Sequence, residues 1–524
     1  MNTTPKKVYF SVNQDVFPEQ HPGITLPTGY RLDVLHRLIE VSVFYDTFEW
    51  HAFEKNVAVV KKGKSLFLID LNTGHTISSV KFHQKPSSFF AENLPVGQTN
   101  ELLFTCSLIR SFIKLCTIEA IIQSYRILDE NDKTIGILKS ESLRFADENN
   151  TKEPFVHLFS LIPLKGYQEE MERIEISLSQ QEWLSNPFCF KELFLLIMSA
   201  AGCSVLGYSS KTHHLSLDVN EPVYKNAILL LQFTLSIMRL NESGIRKNID
   251  SEFLHDYRVA IRRTRSILKQ LKGLFDPLET EHYLNAFRNL GKRTNELRDQ
   301  DVYLLRQATY FRYLPPNLQI PLKTFFIDIA ISRNALHKRF CRYLASSSYH
   351  FFLEEWETFL NNPVLPDPAK APYASLSTLD VASDTIKKAW KKILRHGRKI
   401  GSQATNTELH TLRIDCKKLR YLLEFFVSCF PQKSISPVIK QLKELQENLG
   451  DFVDFAVQIK FLNEYLFSNN NEIEKRLLAA SIGGLMTALY QKQEEARQKF
   501  NVTFNTFDND KTAQLFLDLL TCSH

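Results

Sequence analysis

The chain has 524 residues, 44% of them hydrophobic and 23% charged, with a net charge of +6. That composition excludes a disordered or low-complexity chain, and the length allows two to four domains. No uninterrupted apolar run is long enough to span a bilayer, and "MNTTPKKVYFSV" leads into no signal-like apolar core, so a cytoplasmic location is expected. The mild net charge hides an asymmetry. Residues 1–210 hold 20 Lys+Arg against 24 Asp+Glu, a balance of −4, which leaves +10 for the remainder. The positive excess points to an anionic partner for the C-terminal region.

Residues 1 to about 150 read as β-rich. "VYFSV", "LIEVSVFYDT", "VAVVKKGKSLFLIDL", "AIIQSYRIL" and "TIGILKSESLRF" are short and rich in β-branched and aromatic residues, with "LNTG" and "DENDK" as turns. A further strand is expected at "FVHLFSLIPL", 155–164, and a helix at "YQEEMERIEISLSQQ", 167–181. This mixed β+α domain is expected to span 1–210.

From about 215 the apolar period changes to 3.6. "AILLLQFTLSIMRL", "YRVAIRRTRSILKQLKGLF", "YLNAFRNLGKRTNELRDQDVYLL", "FFLEEWETFL", "DTIKKAWKKILRHGRKI", "LRIDCKKLRYLLEFFVSCF" and two longer stretches after 439 all read as helix. Proline gathers between them, in "LPPNLQIP" and "NNPVLPDPAKAP". The expected fold class is multidomain α+β, with an all-α domain at 215–524. Its halves cover about 215–360 and 378–524, joined by 361–377.

Across the helical region a single pattern occurs twice. "LHDYRVAIRRTRS" places His255, Arg258, Arg262, Arg263 and Arg265 where "LHTLRIDCKKLRY" places His410, Arg413, Lys417, Lys418 and Arg420. The offset is 155 residues. Asp299 and Asp454 each follow their histidine by 44 residues. A duplicated helical unit accounts for this, and its length argues for two bundles over a solenoid. At 100° per residue, His255, Arg258, Arg262, Arg265, Lys269 and Lys272 share one helical face. A third helix, 384–399, adds Lys388, Lys391, Lys392, Arg395 and Lys399.

Like charges at these spacings cost a helix a few tenths of a kcal/mol per pair. Either acidic neighbours offset that cost, with Asp299, Asp301 and Asp454 as candidates, or a bound polyanion does. Arginine suits phosphate because its planar fork makes two parallel hydrogen bonds. A solvated charged face is the competing reading. For the histidines, a structural hydrogen bond competes with ligand contact.

"HDYRVAIRRTRS", "LGKRTNELRDQDV", "HTLRIDCKKLRY" and "LGDFVDFAV" together resemble the CHAD family, the conserved-histidine α-helical domain, over about 215–524. The resemblance implies two pseudo-symmetric four-helix bundles and a basic surface that binds inorganic polyphosphate. The residues expected to line it are His255, Arg258, Arg262, Arg263, Arg265, Lys269, Lys391, Arg395, Lys399, His410, Arg413, Lys417, Lys418 and Arg420. "LGDFVDFAV" departs from the pattern in lacking the Arg of "RDQDV".

Residues 1–210 resemble the CYTH fold, a triphosphate tunnel of barrel type, through "FYDTFEW" at 44–50 and the later strands. That fold's metal chemistry implies alternating glutamates on its first strand. Here that strand reads Val8, Tyr9, Phe10, Ser11 and Val12, and the late strand offers only His157 and Ser160. Inward bases are limited to Lys61, Lys62 and Lys64. A degenerate domain without metal, cofactor or catalytic residues is therefore expected.

The leading expectation is non-catalytic binding of inorganic polyphosphate, with granules of that polymer as a further partner and no membrane. The alternatives are an inorganic triphosphatase and a nucleic-acid binder, for which Tyr257 and Tyr421 flank the stripes. No P-loop, G-x-G-x-x-G or H-E-x-x-H occurs. His213-His214, adjacent residues on a linker, make a poor metal site. The eight cysteines form no C-x-x-C and are expected to be reduced thiols.

Overall fold

The computed structural model describes residues 7–12, 23–84, 86–146, 153–212, 215–401, 404–468 and 474–521. His213, His214 and Cys522 lie outside them. The other seven cysteines are free thiols. The chain divides into two compact units, Met1–Ser209 and Ser210–His524.

The first unit is built from β1 (Val8–Ser11), β2 (Arg31–Asp46), α1 (His51–Glu54), β3 (Val57–Lys62), β4 (Ser65–Asp70), β5 (Thr76–Lys81), β6 (Ser88–Phe89), α2 (Gln98–Cys106), β7 (Phe112–Leu128), β8 (Thr134–Phe145), β9 (Val156–Pro163), α3 (Gln168–Ser179) and α4 (Phe190–Ala200). The strands form one antiparallel sheet in the order β1-β9-β8-β7-β2-β3-β4-β5, with β6 on β7. Alternation assigns its faces. Val60, Ile118 and Ala120 pack under Phe190, Leu193, Phe194 and Ile197 of α4. Val59, Leu66 and Leu68 pack with Leu103 of α2. Phe10, Leu138 and Leu161 pack with Met171, Ile174 and Leu178 of α3. The β-rich unit is consistent with the expected tunnel-like fold, its α4-bearing face filled by apolar side chains.

"YDT" has a structural job here. Asp46 is buried; its carboxylate accepts from the backbone N–H groups of Thr47 (2.7 Å), Ala52 (2.9 Å) and Phe53 (2.9 Å), fixing the start of α1. Burial outweighs those bonds and pushes its carboxyl up to about 7.

The second unit is all-helical: α5 (Val223–Arg246), α6 (Ser251–Gln270), α7 (Pro277–Arg293), α8 (Asn295–Leu305), α9 (Gln307–Arg312), α10 (Pro316–Leu344), α11 (Ser347–Asn361), α12 (Thr378–Gly397), α13 (Asn406–Phe425), α14 (Gln432–Ser468), α15 (Glu474–Phe507) and α16 (Asp510–Thr521). The duplication extends to the caps. Asp250 accepts from Glu252 N (2.9 Å) to start α6, and Thr405 forms a capping box with Glu408 to start α13. These caps are also 155 residues apart.

Two features depart from the sequence reading. The run 283–305, read as one helix, breaks at Thr294 between α7 and α8, where the Thr294 hydroxyl donates to Gly291 O at 2.8 Å. "LPPNLQIP", read as a connector, opens the 29-residue α10. Pro316 occupies its first turn, where a missing N–H costs nothing, and Pro321 follows within two turns.

The two halves also share a core. Tyr303, Tyr310, Phe325, Phe326 and Ile329 of α8–α10 pack with Leu462, Ile482, Leu485 and Leu489 of α14 and α15. The Tyr310 hydroxyl donates to Gln458 Oε1 at 2.7 Å, and the Tyr303 and Phe461 rings stack at 4.6 Å.

Candidate functional site

The duplicated helices α6 and α13 pack against each other, so the two copies of the pattern meet. Each buries an apolar flank: Phe253, Tyr257, Ile261 and Leu268 on α6, and Leu409, Leu412, Leu419 and Leu422 on α13. The cations are left at the seam.

Arg258 is half-buried beside the α7–α8 break. Its guanidinium donates to Thr294 Oγ1, to Asn295 Oδ1 (3.0 Å) and to Gly291 O (3.4 Å), the groups that the α7–α8 break presents. Burial, then the charge of Arg262, push it down to about 10. Its counterpart Arg413 donates to Asp454 Oδ1 at 2.8 Å. The Nε atoms of both arginines are buried without a hydrogen-bond partner among the described residues, the same condition twice at one repeat position.

Lys417 is the most telling residue. Desolvation of its ammonium, then the charges of Arg413 and Arg262, push it down to about 8. A lysine so lowered by cations from both helices means that the two copies crowd positive charge into one place. Arg265 is lowered by burial and then by Arg288 and Arg262, against the opposing influence of Tyr421 on α13. Among the described residues Arg262, Arg265 and Lys417 have no carboxylate within ion-pair distance.

The acidic residues offset part of this charge. Asp454 takes Arg413, and Asp299 is lowered by Arg258 and Arg298 but raised, on balance, by burial. Asp301 serves elsewhere, paired with Arg333 at 2.8 Å.

Two pockets flank the seam. One, of about 340 Å³, is lined by Arg258, Arg262, Arg265, Arg288, Lys292 and Thr294. The other, of about 390 Å³, is lined by Lys211, Arg263, Arg420, Lys443 and Gln446.

The expected site residues thus separate. Arg258, Arg262, Arg265, Arg413 and Lys417 gather at the seam. Arg263 is buried, paired with Glu424 at 3.3 Å and donating to Ser210 O, and it reaches only the second pocket. Arg420 shares Glu424, at 2.6 Å. Lys418 points to the buried Asp415, 3.5 Å away. Asp415 also holds Lys392 at 2.9 Å and His396 at 2.7 Å, so the Lys392 end of the third stripe is structural. Lys391 and Arg395 form an exposed row of their own on α12, Lys399 is exposed just past its end, and Lys269 is exposed at the end of α6. His255 is half-buried and His410 exposed. Arg288, Lys292, Thr294 and Asn295 belong to the site although the stripe pattern does not reach them. The signal for them was in the sequence, in the basic "FRNLGKRTN" that precedes "ELRDQDV".

Residues 229–463 match the family model of the CHAD domain. The matched span runs from α5 to α14 and contains both copies of the pattern. Among solved structures, the chain is similar to the CHAD domain from the plant Ricinus communis, at 21% identity over 56% of this chain and 95% of that one, with a TM-score of 0.48. It is also similar to PptA from Streptomyces chartreusis, at 15% identity over 54% and 99%, with a TM-score of 0.42. No curated protein matches it. Within this CHAD domain, the α6–α13 seam holds the repeated residues.

In the first unit, the α4-bearing face carries Lys62 and Ser160, which the sequence reading named, and Glu40, Lys139 and Glu141, which it overlooked. Lys62 pairs with Glu40 at 2.8 Å, and Ser160 donates to Glu141. Lys139 is lowered by burial and then by Lys7. Lys139 and Glu141 alternate along β8, which a period-two search for charges would have found. The space left between this face and α4 is about 80 Å³. No group of three or more potential metal ligands occurs among the described residues.

Proposed function

We propose that the CHAD domain binds inorganic polyphosphate without catalysis, along the α6–α13 seam. The observation that carries this is the pair of opposed cations Arg262 and Lys417, brought together by the duplication and left without carboxylate partners. Such a pair costs the empty protein Coulombic energy that a flexible linear polyanion returns. The pocket of Arg262, Arg265, Arg288 and Lys292 continues the positive surface on one side, so successive phosphates of one chain find successive cations, whereas in the other pocket Glu424 already holds Arg263 and Arg420. The CHAD resemblance supports the same ligand.

In this reading the first unit is not a triphosphatase. Its α4-bearing face is filled, and the glutamates there already have lysine or serine partners.

The test is calorimetric titration of the full chain with long-chain polyphosphate. Wild type should bind tightly, and Arg262→Ala/Lys417→Ala, folded by circular dichroism, should lose at least about 100-fold, near the cost of removing two charge-assisted contacts. Raising salt from about 50 to about 300 mM should weaken binding steeply through counterion release. Equal affinity of wild type and double variant would overturn the assignment. RNA competing as well as polyphosphate would point to the nucleic-acid reading.

A further inference from the structure

Away from the seam, α7, α11 and residues 362–370 enclose a groove of about 830 Å³ with the opposite chemistry. Its floor is aromatic. Tyr224, Phe275, Phe359 and Tyr283 follow one another with ring centroids 5.4, 6.0 and 5.0 Å apart. Val364, Leu365 and Pro366 add an apolar wall. Its charged lining is Asp276, Glu279, Glu354, Glu355 and Asp367 against Lys370 alone, in a chain whose net charge is +6.

Internal partners neutralise only a fraction of this. Lys370 lies 2.8 Å from Asp276, and the His282 imidazole 3.2 Å from Glu355. Glu279 and Glu354 have no ion-pair partner among the described residues. Glu279 stands beside the floor: after burial and Glu355, it helps push the Tyr283 phenol up to about 12, and after burial it raises Tyr224.

We propose that this groove binds a small aliphatic polyammonium cation, a linear polyamine. Aromatic rings and carboxylates attract the same ammonium groups, and the methylene segments between them suit an apolar wall. The volume is that of a small-molecule site, where Phe351 and Phe359 are the accessible rings and Tyr224, Phe275 and Tyr283 lie buried behind them. The complementarity is one of charge as well as shape, because one internal lysine faces five carboxylates.

The probe is spermidine, titrated calorimetrically into the full chain at low salt. The expected result is saturable one-to-one binding that Glu279→Gln/Glu354→Gln weakens by at least about tenfold. Lys370→Gln, which removes the competing internal cation, should tighten it. Two of these carboxylates lack ion-pair partners, so their substitution leaves the packing intact, and the gain expected for Lys370→Gln does not depend on that double variant folding. Unsaturable binding, or equal binding by all three proteins, would overturn the proposal. So would saturation by oligolysine without saturation by spermidine, which would assign the groove to a basic protein segment.

Discussion

Lys417 links ligand, proton and stability. Above pH 8 it loses its charge, so polyphosphate affinity should fall between pH 7 and 9. Lys417→Arg, whose charge persists, should flatten that profile in titrations across the range. Stability runs the other way. Between about 8 and the free-lysine value near 10.4 the unfolded chain keeps a proton that the folded one has released. Stability of the empty protein from this group therefore rises with pH in that window. Lys417→Met should raise the melting temperature of the empty protein while weakening binding, a pair of opposite shifts that a structural lysine would not give. Asp415 behaves differently. Burial alone would raise its carboxyl, but the Lys392 hydrogen bond, the charges of Lys392 and Lys418, and His396 hold it below the usual range. That contribution is present above the free-aspartate value and is lost as the pH falls through the lowered one. Asp415→Asn should cost about 1–3 kcal/mol in chemical denaturation, because it removes a buried carboxylate's charge-assisted bonds while its partners Lys392, Lys418 and His396 stay partly open to solvent. At this scale the repeat made Arg258, Arg262, Arg413 and Lys417 legible. It could not separate Arg263 or Lys418 from them. Neighbouring positions in one pattern turn toward different partners, and Glu424 and Asp415 become partners only through packing.

At the scale of elements, helices with a strong stripe were legible, as were strands with clean alternation. β8 runs over Thr134–Phe145, the segment read from the sequence. α10 was not, because its prolines read as punctuation although they sit near its start, where a helix tolerates them. α4 was missed although "FKELFLLIMSA" carries a stripe at Phe190, Leu193, Phe194, Ile197 and Met198, because Leu195 and Leu196 fill the interval and blur its period. Close helix contacts were also invisible. A Cβ on Gly397 of α12 would collide with the Phe504 ring on α15, and a Cβ on Gly244 of α5 with the Phe253 ring on α6. Gly397→Ala and Gly244→Ala should each destabilise by about 1–3 kcal/mol despite alanine's better helix propensity, measured by chemical denaturation.

For the whole molecule, the composition shift near residue 210 was legible in the sequence; the structure's two units are Met1–Ser209 and Ser210–His524. The sharing of one core by the two helical halves was not, because Tyr310 and Gln458 are 148 residues apart in sequence. Every residue of the seam belongs to the second unit. Residues 210–524 expressed alone should bind polyphosphate within about threefold of the full chain, a small difference beside the loss in the double variant. The shared core has a kinetic consequence as well. The helices behind the two walls, α8 on α6 and α14 on α13, meet in its packed aromatics, which holds the walls in one arrangement. In stopped-flow mixing, the observed association rate should rise linearly with polyphosphate concentration and reach no plateau, since no conformational step stands between encounter and capture.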